Sequence, residues 1–234
     1  MRIAQRMAVA VTVLSLTLGI AGPAFANSPT FSQAPFTDIK AGSTYYDAVE
    51  YLRLNNLVKG YMDGTFGPDL RMTRAEFVTL MTNPFLLKQT RATDCNNMSA
   101  SGTALMVDSV SMVAPYTDVP TSAWYARAVC VATLYHVVNG YPDGTFRPNQ
   151  SITFVEAAKM ASTILQLSAE HSNPTDPRWF TVYVQNLSDH NAIPTTIKRL
   201  DQVLTRGQIA EIVYRLSDAN TSKASLHWAN FANQ

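Results

Sequence analysis

Charge is scarce in this chain: only 15% of its 234 residues are Asp, Glu, Lys or Arg, 18 of them basic and 17 acidic. No run of Lys and Arg is present that would neutralise a phosphate backbone, which excludes nucleic acid as a partner. Histidine is nearly absent. His136, His171, His190 and His227 stand apart, without the spacing of metal ligands. Asp63 and Asp143 do not make a calcium loop, which takes about five ligands over roughly twelve residues and closes on a bidentate glutamate. Neither a metal nor another cofactor is expected. There is no G-x-S-x-G turn, and two cysteines free to pair with each other leave no Cys/His nucleophile. Glycan hydrolysis needs two carboxylates on one groove. Glu76 and Glu156 fall in different parts of the chain, so an enzyme is not expected.

Long apolar runs are absent except at the start. Arg2 and Arg6 precede an apolar run from Met7 to Ile20, and Ala24-Phe25-Ala26 supplies the small residues of a cleavage site before Asn27. A spanning helix needs about 20 apolar residues, so residues 1–26 read as an export signal, with no membrane span after its removal. Loss of Arg2 and Arg6 leaves 16 basic and 17 acidic residues, a net charge of −1. In an exported chain Cys95 and Cys130 are expected to pair; the alternative is a reduced Cys130 on an apolar helix face beside an unrelated loop thiol.

What the chain does have is aromatic residues (ten Tyr, ten Phe and three Trp) and a repeat. Shifted by 80, residues 36–81 match 116–161 at 16 of 46 positions without a gap. Thr37-Asp38 returns as Thr117-Asp118, Gly60-Tyr61 as Gly140-Tyr141, and Asp63-Gly64-Thr65-Phe66 as Asp143-Gly144-Thr145-Phe146. A worn third copy follows, in which Trp179-Phe180 echoes Trp124-Tyr125 and Leu204-Thr205-Arg206 echoes Met72-Thr73-Arg74. Each copy reads as helix, tight loop, helix. Tyr45, Ala48, Val49 and Leu52 recur at helical spacing. Gly60 is placed to end that helix in a left-handed conformation, and Asp63-Gly64 is a turn dipeptide. Thr73 with Glu76, and Thr153 with Glu156, form capping boxes; Thr205 and Gln208 take those places in copy three. Short helices cannot stand alone in water, so three apolar faces are expected to share one core: an all-α fold of three helix-loop-helix units with rough threefold symmetry.

The boundaries follow: an export signal at 1–26, a linker at 27–35, copy one at 36–82, a connecting loop at 83–115, copy two at 116–167, a linker at 168–177, copy three at 178–217 and a tail at 218–234. The motifs F-T-D-I, G-Y-M-D-G-T-F-G-P and M-T-R-A-E of copy one resemble the S-layer homology module, as do Y-T-D-V, W-Y and G-Y-P-D-G-T-F-R-P of copy two. Copy three, ending L-T-R-G-Q-I-A-E-I-V-Y-R-L, looks like the degenerate last module of a three-module array. The resemblance implies a pseudo-threefold arrangement around a central helical bundle and non-covalent attachment to a cell-wall polysaccharide bearing acidic sugars, or to a peptidoglycan-linked glycan, held in grooves between modules. It implies that Arg74 and Arg206 meet the acidic group, as a guanidinium fork at a helix start is suited to do. Copy two has Phe154 there, so its groove is expected not to take an acidic sugar.

Several candidates have plainer uses. Arg74 and Arg206 each follow a capping threonine, where an arginine is often merely solvated; the glycan reading requires that they face an open groove rather than lie buried in pairs. Tyr61 and Tyr141 belong to the turn as much as to a site. Asp38 and Asp118 either cap a helix or line the groove. Trp124 and Trp179 stack on sugar in the functional reading and pack in the core in the simpler one. A rival reading is a structural protein whose modules bind S-layer or envelope proteins instead of glycan, with Trp228 and Phe231 of the tail as a docking element or as a helix folded back on the core. An enzyme anchored at the surface ranks last.

Overall fold

The computed structural model describes residues 35–86, 95, 105–107, 110–112, 116–167, 176–217 and 222–233. The export signal at 1–26, all but residue 35 of the 27–35 linker, all but 176–177 of the 168–177 linker, most of the 83–115 connection and residues 218–221 and 234 of the tail lie outside the described residues. Among those described, the regular structure is helical: α1 (Tyr46–Leu54) and α2 (Arg74–Phe85) in copy one, α3 (Ala126–Leu134) and α4 (Phe154–Ile164) in copy two, α5 (Thr181–Asp189) and α6 (Arg206–Ser217) in copy three. One small hairpin, β1 (Leu105–Val107) paired antiparallel with β2 (Val110–Met112), lies in the stretch read from sequence as connecting loop. Cys95 and Cys130 are joined, so the connection is tied to the buried face of α3.

The helices of one copy do not chiefly pack on each other. α3 packs on α2, α5 on α4 and α1 on α6, so each copy lends its first helix to the second helix of the copy before it, and the last closes on the first. The backbone shows why this closure is obligatory. The first N–H groups of a helix have no intrahelical partner. Here the N–H of Arg74 donates to the Gln150 carbonyl (2.9 Å), that of Phe154 to Gln202 (2.8 Å) and that of Arg206 to Leu70 (2.8 Å). Ala75, Val155 and Gly207 donate in the same sense to Pro148, Leu200 and Pro68. Just before these helices, Met72 donates to Leu204, Leu204 to Ile152 and Ile152 to Met72, closing a ring of three hydrogen bonds among buried residues. No copy satisfies the first two N–H groups of its own second helix.

The capping expectations hold in α2, where Thr73 accepts from the Glu76 N–H and Glu76 accepts from that of Thr73 (2.7 Å). Glu156 accepts the Thr153 N–H (2.9 Å), and Gln208 that of Thr205 (3.1 Å). The end of the first helix is placed differently from the sequence reading. Gly60 does not close α1 in a left-handed conformation. Asn56, His136 and Asn191, at matching positions, carry that conformation (φ 55°, 55° and 52°), and the next N–H reaches back five residues in each case: Leu57 to Leu52, Val137 to Ala132, Ala192 to Leu187. Gly60 is required instead by crowding, because a Cβ there would collide with the Phe36 ring and the Thr65 carbonyl.

Asp38 and Asp118 neither cap a helix nor line a groove. The two carboxylate oxygens of Asp38 accept the N–H groups of Phe66 and Gly67, each at 2.7 Å, and Asp118 clamps Phe146 and Arg147 in the same way. They fasten the D-G-T-F loop, some 28 residues downstream, to the start of its own copy. Within the loop Asp63 and Asp143 accept from the backbone of Thr65 and Thr145 (3.0 Å each). The Thr145 hydroxyl and the Arg147 guanidinium hold the Asp143 carboxyl down at about 2.

Candidate binding grooves between the copies

Among the described residues, two matching clefts lie between copies, and each takes residues from all three. The first, about 730 Å³, runs from the end of α1 (Asn55 to Lys59) along Glu76, Thr79 and Asn83 of α2. Trp124 of copy two and Arg206 of copy three complete it. The second, about 260 Å³, is its counterpart: Val137 to Tyr141 of copy two, Glu156, Lys159 and Met160 of α4, Trp179 of copy three and Arg74 of copy one. Each arginine therefore serves the groove of the next copy, not its own. That reverses the expectation drawn from Phe154: the groove of copy two does possess an arginine, and Phe154 falls in the third groove.

Both arginines line grooves, yet they are only 5% and 8% exposed. Arg74 donates from Nε to the Phe146 carbonyl (3.0 Å) and from Nη1 to Oε1 of Glu156 (2.7 Å), with its guanidinium about 5 Å from the Tyr141 and Phe146 ring centres. Arg206 donates from Nε to the Phe66 carbonyl (2.8 Å), lies over Tyr61 and Phe66, and stands 4.0 Å from Glu76. A guanidinium has five N–H donors. Arg74 spends two of them on the protein, so it is largely a strut that fixes groove walls. Glu156 is shared three ways, capping Thr153 through one oxygen and receiving Arg74 and the Tyr141 hydroxyl (2.9 Å) through the other.

The tryptophans overturn the core-packing expectation. Trp124 is 66% exposed and Trp179 is 53% exposed, each at the mouth of a groove and each set edge-on to the next aromatic, Tyr125 or Phe180. Lys159 is the residue that sequence reasoning missed. Its ammonium lies 5.7 Å from the Trp179 ring, and burial, with Arg74 nearby, lowers its pKa. A signal for it existed: Thr79, Lys159 and Glu211 stand three residues after Glu76, Glu156 and Gln208, which places them on the same helix face. Each open groove holds one carboxylate, Glu76 in the first and Glu156 in the second.

The fold and grooves define a class: a helical repeat array in which each cleft takes its wall, its arginine and its aromatic from different copies. The sequence model of the S-layer homology domain matches residues 35–78 and 115–158. The chain is 32% identical over 159 residues to a surface layer protein of Brevibacillus choshinensis, covering 68% of this chain and 12% of that protein. It is 31% identical over 204 residues to the middle cell wall protein of Brevibacillus brevis, covering 87% of this chain and 17% of that one. A cellulosome-anchoring protein of Acetivibrio thermocellus is 30% identical over 141 residues, 58% of this chain and 27% of its own length. This chain belongs to the S-layer homology domain proteins, and it spans less than a fifth of the first two relatives.

Proposed function

We propose that the protein is exported and cleaved after Ala26, that its three units stand in pseudo-threefold arrangement, and that it is a non-catalytic cell-surface protein. Its first and second grooves hold an acidic cell-wall polysaccharide. The ring of hydrogen bonds through Met72, Ile152 and Leu204 supports the arrangement. The observation that carries the glycan reading is the pair of half-exposed tryptophans, each beside an arginine held at a groove wall. Trp124 and Trp179 present apolar faces to a sugar ring, and Lys59 of the first groove and Lys159 of the second meet its acidic substituent, because Arg74 and Arg206 lie buried beside Glu156 and Glu76 and brace the groove walls instead. Each groove is lined by two cations and one carboxylate, Lys59, Arg206 and Glu76 in the first and Lys159, Arg74 and Glu156 in the second. The relatives' names place them in surface layers and cell walls, which agrees with this setting.

Co-sedimentation of the protein with purified cell-wall sacculi tests the proposal. Because Arg74 braces the fold, the informative variants are Trp179→Ala and Lys159→Ala in the second groove and Trp124→Ala in the first. The Trp124→Ala/Trp179→Ala pair is expected to weaken binding at least tenfold, about 1.4 kcal/mol, with circular dichroism unchanged. Undiminished sedimentation of that folded double variant would refute the groove assignment. The rival reading, a modular array that binds envelope proteins, draws on the worn third copy, on the tail from residue 218, and on Phe154, which removes the arginine from the third groove.

A further inference from the structure

The third groove is the counterpart of the other two, and its chemistry is reversed. Phe154 stands where the others have Arg74 and Arg206, and Glu211 stands where the second groove has Lys159. Thr44 replaces the tryptophan. What fills it is the chain's own segment 222–233. Its Ser225 hydroxyl donates to the Ile193 carbonyl (3.1 Å) and accepts the Ile193 N–H (3.2 Å), and the Leu226 N–H donates to the same carbonyl (2.8 Å). Ile193 is the position of Val58 and Val138, which line the open grooves. At one end Lys223 donates to Glu211 Oε2 and the Thr44 carbonyl and lies beside Asp47, each at 3.3 Å. At the other, Phe231, 1% exposed, packs on Phe154 with ring centres 5.9 Å apart. Buried Arg215 joins the parts, donating to Glu211 (2.9 Å), to the Asn191 carbonyl of the groove and to the Lys223 and Ala224 carbonyls of the segment.

We infer that the third groove is a peptide site, selective for an ammonium followed at eight residues by an aromatic ring, and that segment 222–233 is its tethered ligand. A carboxylate at the position of Lys159 repels an acidic sugar and attracts a lysine. The substituted phenylalanine supplies a wall for a ring where a guanidinium would have needed partners. The segment adds backbone pairing at Ile193, so the mode is that of an extended peptide on a partly open edge. None of this depends on the glycan reading of the other two grooves.

Amide hydrogen exchange on the full chain tests it. Lys223→Glu and Phe231→Ala should each raise exchange at Leu226 and Trp228 by about tenfold or more, while Lys223→Arg keeps it within about twofold, as expected for local release of a segment. The ring amides of Met72, Ile152 and Leu204 should stay protected, which shows that the core is intact. A synthetic peptide of residues 222–233 should then bind the Phe231→Ala chain saturably, bind wild type at least about tenfold more weakly because the site is filled, and lose binding when its lysine is changed to glutamate. Unchanged exchange in Lys223→Glu overturns the inference, since that side chain lies at the groove edge and its loss does not unfold the core. Failure of the peptide to bind a chain whose segment is released overturns it equally.

Discussion

Arg74 and Arg206 show how one motif position divides its labour. The matched guanidinium groups both reach a phenylalanine carbonyl in the neighbouring copy, but Arg74 is paired closely with Glu156, whereas Arg206 stands 4.0 Å from a more exposed Glu76. Removing one partner of a buried pair leaves the other charge uncompensated, at about 3–5 kcal/mol in the worst case. Arg74→Ala is accordingly expected to cost about 3 kcal/mol, the lower end, because the Tyr141 hydroxyl still serves Glu156. Arg206→Ala should cost about 1–2 kcal/mol, chiefly for the orphaned Phe66 carbonyl. Urea denaturation of the two variants measures the difference; equal losses would mean that the Glu156 pair contributes little.

At the scale of elements, the first helices all end on a non-glycine residue in the left-handed region. That conformation costs an L-residue about 1–2 kcal/mol relative to the right-handed one, and asparagine tolerates it best. His136 has the least excuse, so His136→Gly is expected to stabilise by about 0.5–1 kcal/mol after the greater unfolded-state freedom of glycine is subtracted. A Tm raised by a few degrees is the expected result, and a lowered Tm would show that the imidazole makes contacts worth more than the strain. The helix starts were legible in the sequence because capping boxes are local: Thr73 with Glu76 and Thr153 with Glu156 stand three residues apart. The helix ends were not, because Gly60 and Gly140 are conspicuous while the position that turns left-handed carries two asparagines and a histidine, Asn56, Asn191 and His136, in place of a glycine. The paired strands Leu105–Val107 and Val110–Met112 and the short 3₁₀ helix at Trp228–Asn230, in the tail read as a docking segment or, more simply, as a helix folded back on the core, lack any strong periodic signal.

For the whole molecule, the cyclic pairing means that stability is shared by all three copies. The Cys95–Cys130 bond spans 35 residues and ties the long connection to α3, the first helix of copy two. On the chain-entropy model a loop of that size is stabilised by about 3–4 kcal/mol. Reduction, or Cys95→Ala/Cys130→Ala, should therefore lower Tm while leaving one cooperative transition, because no copy can complete its helix starts alone. Calorimetry resolving separate transitions for the copies would contradict the closed ring.

Sequence by itself determined the repeat, the helix-loop-helix unit, the capping pairs and the identity of the two arginines, since each is written in neighbouring residues or in a fixed period of 80. Tertiary structure alone decided which groove each arginine serves, that Asp38 and Asp118 clamp a loop instead of lining a site, that Trp124 and Trp179 face outward, and that Phe154 meets Phe231. These depend on how one copy is rotated onto the next. Their partners lie tens of residues away along the chain (72 from Arg74 to Phe146, 140 from Arg206 to Phe66), and no local pattern encodes a contact whose two halves belong to different copies.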